Sequence, residues 1–172
     1  TTVFMILFGV NFSCYYLILL RQFTNVLKDE EIRLYFGVIL GSIVLIALDT
    51  FGLYGTLEET IRHAAFQVGS IITTTGFSTT DFDLWPSFSK TILLCLMVCG
   101  ACAGSTGGGM KVARIMLVFK GLRRNIRQML SPRKVEVVRN NGSIVDEKTL
   151  ANTNAYLSAY IIIIFAVFLI IS

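Results

Sequence analysis

The chain has 172 residues, of which 54% are hydrophobic and 15% charged, with a formal net charge of +4 and a mean hydropathy of +0.70. Soluble domains carry about 25% charged residues, and a chain of 19.1 kDa is too small to hide this much apolar surface in a soluble core. Composition therefore excludes an ordinary soluble domain and places the chain in the membrane class.

Val3 to Leu20 is apolar and ends at Arg21. Its length suits a spanning helix, which takes about 17 to 25 residues. The chain starts at Thr1 and its last apolar run is still open at Ser172, so it reads as a piece of a longer protein. The start has the character of a span rather than of a signal peptide. Arg21 to Arg33, "RQFTNVLKDEEIR", is a polar loop. Leu34 to Leu57 is a second span with Asp49 inside it, an acid suited to capping or pairing near the interface as well as to function. Glu58 to Ile72, "EETIRHAAFQVGSII", is too short and too polar to cross, and its length suits a re-entrant helix. His63 within it is read as structural, and Trp85 further on as an interfacial anchor.

Phe88 to Lys120 is apolar at both ends but holds "GACAGSTGGG" (Gly100 to Gly109) in its middle. Small residues let membrane helices approach closely, but the consecutive Gly107, Gly108 and Gly109 weaken a helix interior. A broken helix facing a cavity explains them better. The same stretch fails as a phosphate-binding loop, whose order is GxxxxGK[ST]. Met110 follows Gly109, Lys111 comes one place late, and Val112 stands where a hydroxyl belongs. Gly121 to Lys148 is a basic linker with a hairpin-like turn signal at Asn141–Gly142, and Ala155 to Ile171 is the last span. Cys14, Cys95, Cys99 and Cys102 all lie in apolar runs without zinc-site spacing and read as small packing residues.

Charge orients these segments. Lys111, Arg114, Lys120, Arg123, Arg124, Arg127, Arg133, Lys134 and Arg139 make up nine of the 15 Lys and Arg residues, and Arg21, Lys28 and Arg33 occupy the first loop. Cytoplasmic loops are enriched in such residues. Val3–Leu20 then runs inward, Leu34–Leu57 outward, Phe88–Lys120 inward and Ala155–Ile171 outward. Glu58, Glu59, Asp81 and Asp83 fall on the outer side, where carboxylates concentrate cations. The section from Glu58 to Pro86 must start and finish outside. Non-helical backbone survives at membrane depth only in protein or along water, so Thr73 to Phe77 is expected to turn its carbonyls toward a passing ion, with Gly76 supplying a conformation closed to other residues.

"AFQVGSIITTTGFSTTDFDLWP" followed by "GACAGSTGGGMKVARIMLVFK" resembles the Trk/Ktr/HKT superfamily of potassium transporters, of the bacterial TrkH/KtrB type. The resemblance covers the chain from about Phe4 onward. It implies an all-α membrane protein built from helix–re-entrant pore helix–broken helix repeats, four of them fused around one pore. Residues 34–120 would be one complete repeat, by resemblance the third. Residues 1–33 would end the preceding repeat, 121–148 form a basic cytoplasmic linker, and 149–172 open the following repeat. Thr73, Thr74, Thr75, Gly76 and Phe77 would be this repeat's share of the selectivity filter. Gly100, Ala101, Cys102, Ala103, Gly104, Ser105, Thr106, Gly107, Gly108 and Gly109 would form an intramembrane gate loop.

One filter segment cannot surround an ion. The other segments, and a basic residue that the family places in its last repeat near the gate loop, lie outside this sequence. The implied cargo is K+, held by filter carbonyls only, with no catalytic chemistry and no nucleotide bound by this chain. The implied partners are the bilayer of the plasma (inner) membrane, a second copy of the full-length protein and a cytoplasmic nucleotide-binding regulatory subunit of TrkA/KtrA type. Arg123, Arg124 and Arg127 are the expected contacts to that regulator or to anionic lipid. The competing expectation is a non-conducting, membrane-embedded accessory or structural subunit.

Overall fold

The computed structural model describes residues 1–131 and 137–171. In chain order it contains α1 (Thr2–Phe8), α2 (Phe12–Leu19), α3 (Phe23–Lys28), α4 (Glu30–Asp49), α5 (Leu57–Ile72), a 3-10 turn (Phe82–Leu84), α6 (Ser87–Cys99), α7 (Val112–Leu130), the strands β1 (Arg139–Asn140) and β2 (Ser143–Ile144), and α8 (Glu147–Ile171). These divide into two compact units, Thr1–Ala113 and Arg114–Ser172.

In the first unit α4 is the long apolar helix. Asp29 starts it by accepting the Glu31 N–H at 2.8 Å, and Glu30 and Glu31 in its first turn suit the positive end of the helix dipole. Its 20 residues rise about 30 Å, the thickness of a bilayer core. Tyr35, Ile39 and Ile46 are buried against Ala64, Val68 and Ile72 of α5 and Leu93 and Leu96 of α6. Leu40, Val44, Leu45 and Leu48 face outward. Lipid tails are as apolar as these side chains, so close packing rather than water expulsion joins the helices.

α5 opens on Thr56, whose Oγ1 caps the helix by accepting the Glu59 N–H at 3.3 Å. It has only 16 residues and rises about 24 Å, short of a full crossing. α6 begins after Pro86, which offers no side-chain cap. Asp49 supplies the cap from the far end of α4, accepting the Ser89 N–H at 3.2 Å and the Ser89 hydroxyl at 2.6 Å. Capping is thus the role of this acid. Trp85 is no interfacial anchor: it is 3% exposed and donates its indole N–H to Tyr54 Oη at 2.8 Å. His63 stacks on Tyr54 at 5.0 Å between ring centroids, and its Nδ1 lies 3.2 Å from Thr79 Oγ1.

The apolar run Val3–Leu20 is not one straight helix. α1 and α2 meet at 95° across a short break. Asn11 causes the restart, accepting the Ser13 N–H at 2.9 Å, and Gly9 lies so close to Tyr35 Oη that no Cβ fits between them. The carbonyls freed at the end of α1 find donors. Tyr35 Oη donates to Ile6 O at 3.0 Å and Tyr15 Oη to Leu7 O at 2.5 Å. Unpaired carbonyls in lipid would cost several kcal/mol each.

In the second unit α7 runs to Leu130, about ten residues into the stretch expected to be linker, because Gly121 to Leu130 contains no proline and few β-branched residues. α8 starts at Glu147 rather than near Ala155. Between them Arg139 pairs with Ile144 and Asn140 with Ser143. Asn141 and Gly142 turn with φ of 48° and 82°, the pair of positive values that an Asn-Gly hairpin turn requires. Lys120 Nζ donates to Arg139 O at 2.9 Å, and Arg114 lies over the Tyr156 ring at 4.3 Å. The 25 residues of α8 are enough to cross a bilayer, and Ile161 to Ile170 are exposed along it.

Candidate functional site

Two stretches of non-helical backbone meet at depth in the first unit. The first follows α5. Its N–H groups turn back on the helix they leave: Thr74 N to Ile71 O at 3.0 Å, and Thr75 N and Gly76 N to Ser70 O at 2.8 and 3.4 Å. The hydroxyls brace the segment. Thr73 Oγ1 donates to Gly69 O at 2.6 Å and lies 2.7 Å from Thr75 Oγ1. Ser70, fully buried, donates its hydroxyl to Phe77 O at 2.5 Å.

Among the described residues no donor reaches the carbonyls of Thr73, Thr74, Thr75 or Gly76. Thr73 to Gly76 therefore have their N–H groups bonded and four acceptors in reserve, the arrangement suited to a dehydrated cation. Gly76 has φ of 82°, a conformation that side-chain-bearing residues adopt only with strain. Thr74 adopts φ of 55° at a cost of about 1–2 kcal/mol. A recess of about 370 Å³ lies beside these residues, lined also by Gln67, Ser70 and Met97.

The second stretch interrupts the helix between Cys99 and Val112. Gly100 has φ of 67°, and a Cβ there would meet Gly108 O at 2.6 Å. Every part of the loop is tied down. Cys102 N donates to Gly9 O at 3.0 Å, Gly104 O accepts Phe12 N–H at 3.2 Å, and Thr106 Oγ1 donates to Phe8 O at 3.2 Å. All three partners belong to the α1–α2 break. Ala103 N donates to Glu31 Oε1 at 2.5 Å. Lys111 Nζ donates to Gly107 O. The two stretches touch at Gly108, whose N–H donates to Thr74 Oγ1 at 2.7 Å.

The structure thus brings Thr73–Phe77 and Gly100–Gly109 together. Arg123, Arg124 and Arg127 belong to the second unit. Arg124 Nη1 pairs with Glu147 Oε1 at 2.9 Å, and these three arginines border a small recess with Lys120, Val138 and Arg139. Arg133 and Lys134 lie outside the described residues. Of the outer acids, Asp81 caps the 3-10 turn through the Asp83 N–H at 3.0 Å and Glu59 lies 3.8 Å from Arg62. Among the described residues no group of three or more His, Cys, Asp or Glu forms a metal site, and the cysteines are unpaired.

Sequence reasoning missed Ser70, Asn11 and Glu31. Asn11 had a signal, a helix-starting residue two places after a glycine, masked by uninterrupted hydropathy. Glu31 had none, since it stands among the charges of a polar loop.

A spanning helix, a re-entrant helix with an extended return and a broken helix define an integral, multi-pass all-α membrane protein. Residues 52–172 match the TrkH family, described as a cation transport protein, and the chain belongs to that family. It is 34% identical over 164 residues to the Trk system potassium uptake protein TrkH of Salmonella typhimurium, covering 94% of this chain and 34% of that protein. Against TrkH of Halomonas elongata it is 35% identical over 147 residues, 84% of this chain and 30% of that protein. The crystal structure of the potassium transporter TrkH from Vibrio parahaemolyticus superimposes with a TM-score of 0.87 at 30% identity, over 96% of this chain and 36% of that one. The chain spans about a third of the length of the relatives it matches.

Proposed function

We propose that the full-length protein carries K+ across the plasma (inner) membrane. In this reading Thr73–Phe77 is one selectivity-filter segment and Gly100–Gly109 the intramembrane gate of a four-repeat pore. The observation that carries it is the row of carbonyls from Thr73 to Gly76, left without donors among the described residues while the N–H groups of the same four residues are bonded. The names of the relatives, potassium uptake proteins of a Trk system, support the same cargo. K+ is substrate here, and nucleotide acts on a cytoplasmic regulatory subunit rather than on this chain. A homodimer of the full-length protein, contacting that regulator through Arg123 and Arg127, completes the proposal.

The test is flux of K+ against Na+ through the reconstituted full-length protein and its Gly76→Ser variant. No Cβ contact lies within 4 Å of Gly76, so the variant acts through its φ of 82°, strained by about 1–2 kcal/mol for a residue with a side chain. The strained carbonyls should lower the preference for K+ by about tenfold, the factor such an energy carries. Normal expression with unchanged preference would remove this segment from the filter.

A further inference from the structure

Glu31 stands in the first turn of α4, 8% exposed. A carboxylate so enclosed beside a membrane span is costly unless its oxygens are bonded. It has a specific partner, the Ala103 N–H at 2.5 Å, seventy-two residues away in the chain. The N–H of Ala113, just past the loop, also faces this carboxylate. Glu31 itself is fixed by Asp29, which accepts its N–H at 2.8 Å.

We infer that Glu31 is a positioning residue that clasps the glycine-rich loop shut by holding the Ala103 N–H. The Lys111 ammonium donates to Gly107 O from the end of the loop itself; the anchors supplied by other parts of the chain are neutral apart from Glu31: the carbonyls of Phe8 and Gly9, the Phe12 N–H and the Thr74 hydroxyl. Hydrogen bonds to an ionised acceptor are roughly twice as strong as neutral ones, so among the anchors that tie the loop to the rest of the chain the Glu31 clasp is the one whose loss frees it most. It is also the anchor next to the polar loop Arg21–Arg33, the side expected to face the cytoplasm. Movement of α4's first turn therefore transmits directly to Ala103. The clasp rests on the reading of this loop as a gate only for its effect on flux.

Cys102, adjacent to Ala103 and fully buried, reports loop release. The experiment uses the full-length protein in vesicles, with Glu31→Ala, Glu31→Asp, Glu31→Gln and Glu31→Met. Modification of Cys102 by a small water-soluble thiol reagent is followed by mass spectrometry of its peptide, and K+ flux is measured without regulator. Glu31→Ala and the shorter Glu31→Asp should each speed Cys102 modification about tenfold, the factor carried by one hydrogen bond to a charged group. Glu31→Gln keeps an acceptor oxygen at the same reach without the charge and should restore part of the protection, about half of the bond's strength. Glu31→Met has similar volume and no acceptor oxygen, so the clasp predicts labelling as fast as in Glu31→Ala, whereas a packing role alone would leave Glu31→Met protected. Unchanged labelling in Glu31→Ala, a protected Glu31→Met, or equal labelling in Ala and Gln, overturns the clasp. Faster labelling with unchanged flux upholds the clasp and overturns the gate reading instead. If Glu31→Ala does not fold, the comparison of Asp with Gln decides alone.

Discussion

Thr74 Oγ1 accepts the Gly108 N–H at 2.7 Å, so the return from α5 and the loop that breaks the next helix are joined by a single side chain. The bond links two segments 34 residues apart. Thr74→Val keeps the shape and removes the acceptor, and the loss of this exposed hydrogen bond costs about 0.5–1.5 kcal/mol. Regulator-independent K+ flux should rise severalfold, while Thr74→Ser should keep the bond and the wild-type rate. Equal flux in all three proteins would separate the two segments functionally.

Replacing Gly107, Gly108 and Gly109 by alanine should change flux and leave ion preference alone. The cause is geometric. A Cβ on Gly107 would lie 2.7 Å from Ala101 Cβ, and one on Gly108 would lie 3.2 Å from Thr74 Oγ1. The loop must shift to admit them, at a cost of about 1–3 kcal/mol. Vesicle flux of K+ and Na+ checks this, and a normal K+ rate would reduce the loop to a packing feature.

Asp49→Ala should lower thermal stability without touching selectivity. It strips both the N–H and the hydroxyl of Ser89 of their acceptor, a loss of about 1–2 kcal/mol for a helix cap. Ser89→Ala keeps the backbone bond and should cost less. The melting temperatures of the two variants in detergent give the ranking, and the reverse order would argue against capping.

Arg123→Gln with Arg127→Gln should weaken regulator binding and nucleotide-dependent activation severalfold, with the filter unaffected. Both residues are exposed on α7. Arg124 is the separate case. Its side chain is 18% exposed and bound at 2.9 Å to a Glu147 carboxylate that faces solvent, so Arg124→Gln should loosen the start of α8 by about 0.2–1 kcal/mol rather than remove a contact surface. Pull-down of the regulatory subunit by each variant distinguishes them.

The long apolar helices, the short helix α5 and the broken helix between Cys99 and Val112 were legible because bilayer thickness sets helix length and hydropathy records it. The Asn141–Gly142 turn was legible because its backbone demands those residues. The α1–α2 break was not, since Gly9, Val10 and Asn11 interrupt hydrogen bonding while leaving the hydropathy of Val3–Leu20 intact. Glu31 and Asp49 were legible as acids but not as partners, because Ala103 and Ser89 lie 72 and 40 residues away. Ser70 carries no mark in the sequence, since its role depends on where Phe77 returns.

Between Cys99 and Val112 the bonded positions follow one another almost without a gap: Cys102, Ala103, Gly104, Thr106, Gly108 and Met110, held in turn by Gly9, Glu31, Phe12, Phe8, Thr74 and Val98. The partners come from four separate parts of the chain, and none can slide along with the loop. One residue added or removed would put every later donor opposite the wrong acceptor. A change of length in this stretch should therefore be far more damaging than an exchange of small residues, whereas the exposed Asn141–Gly142 turn should accept an insertion.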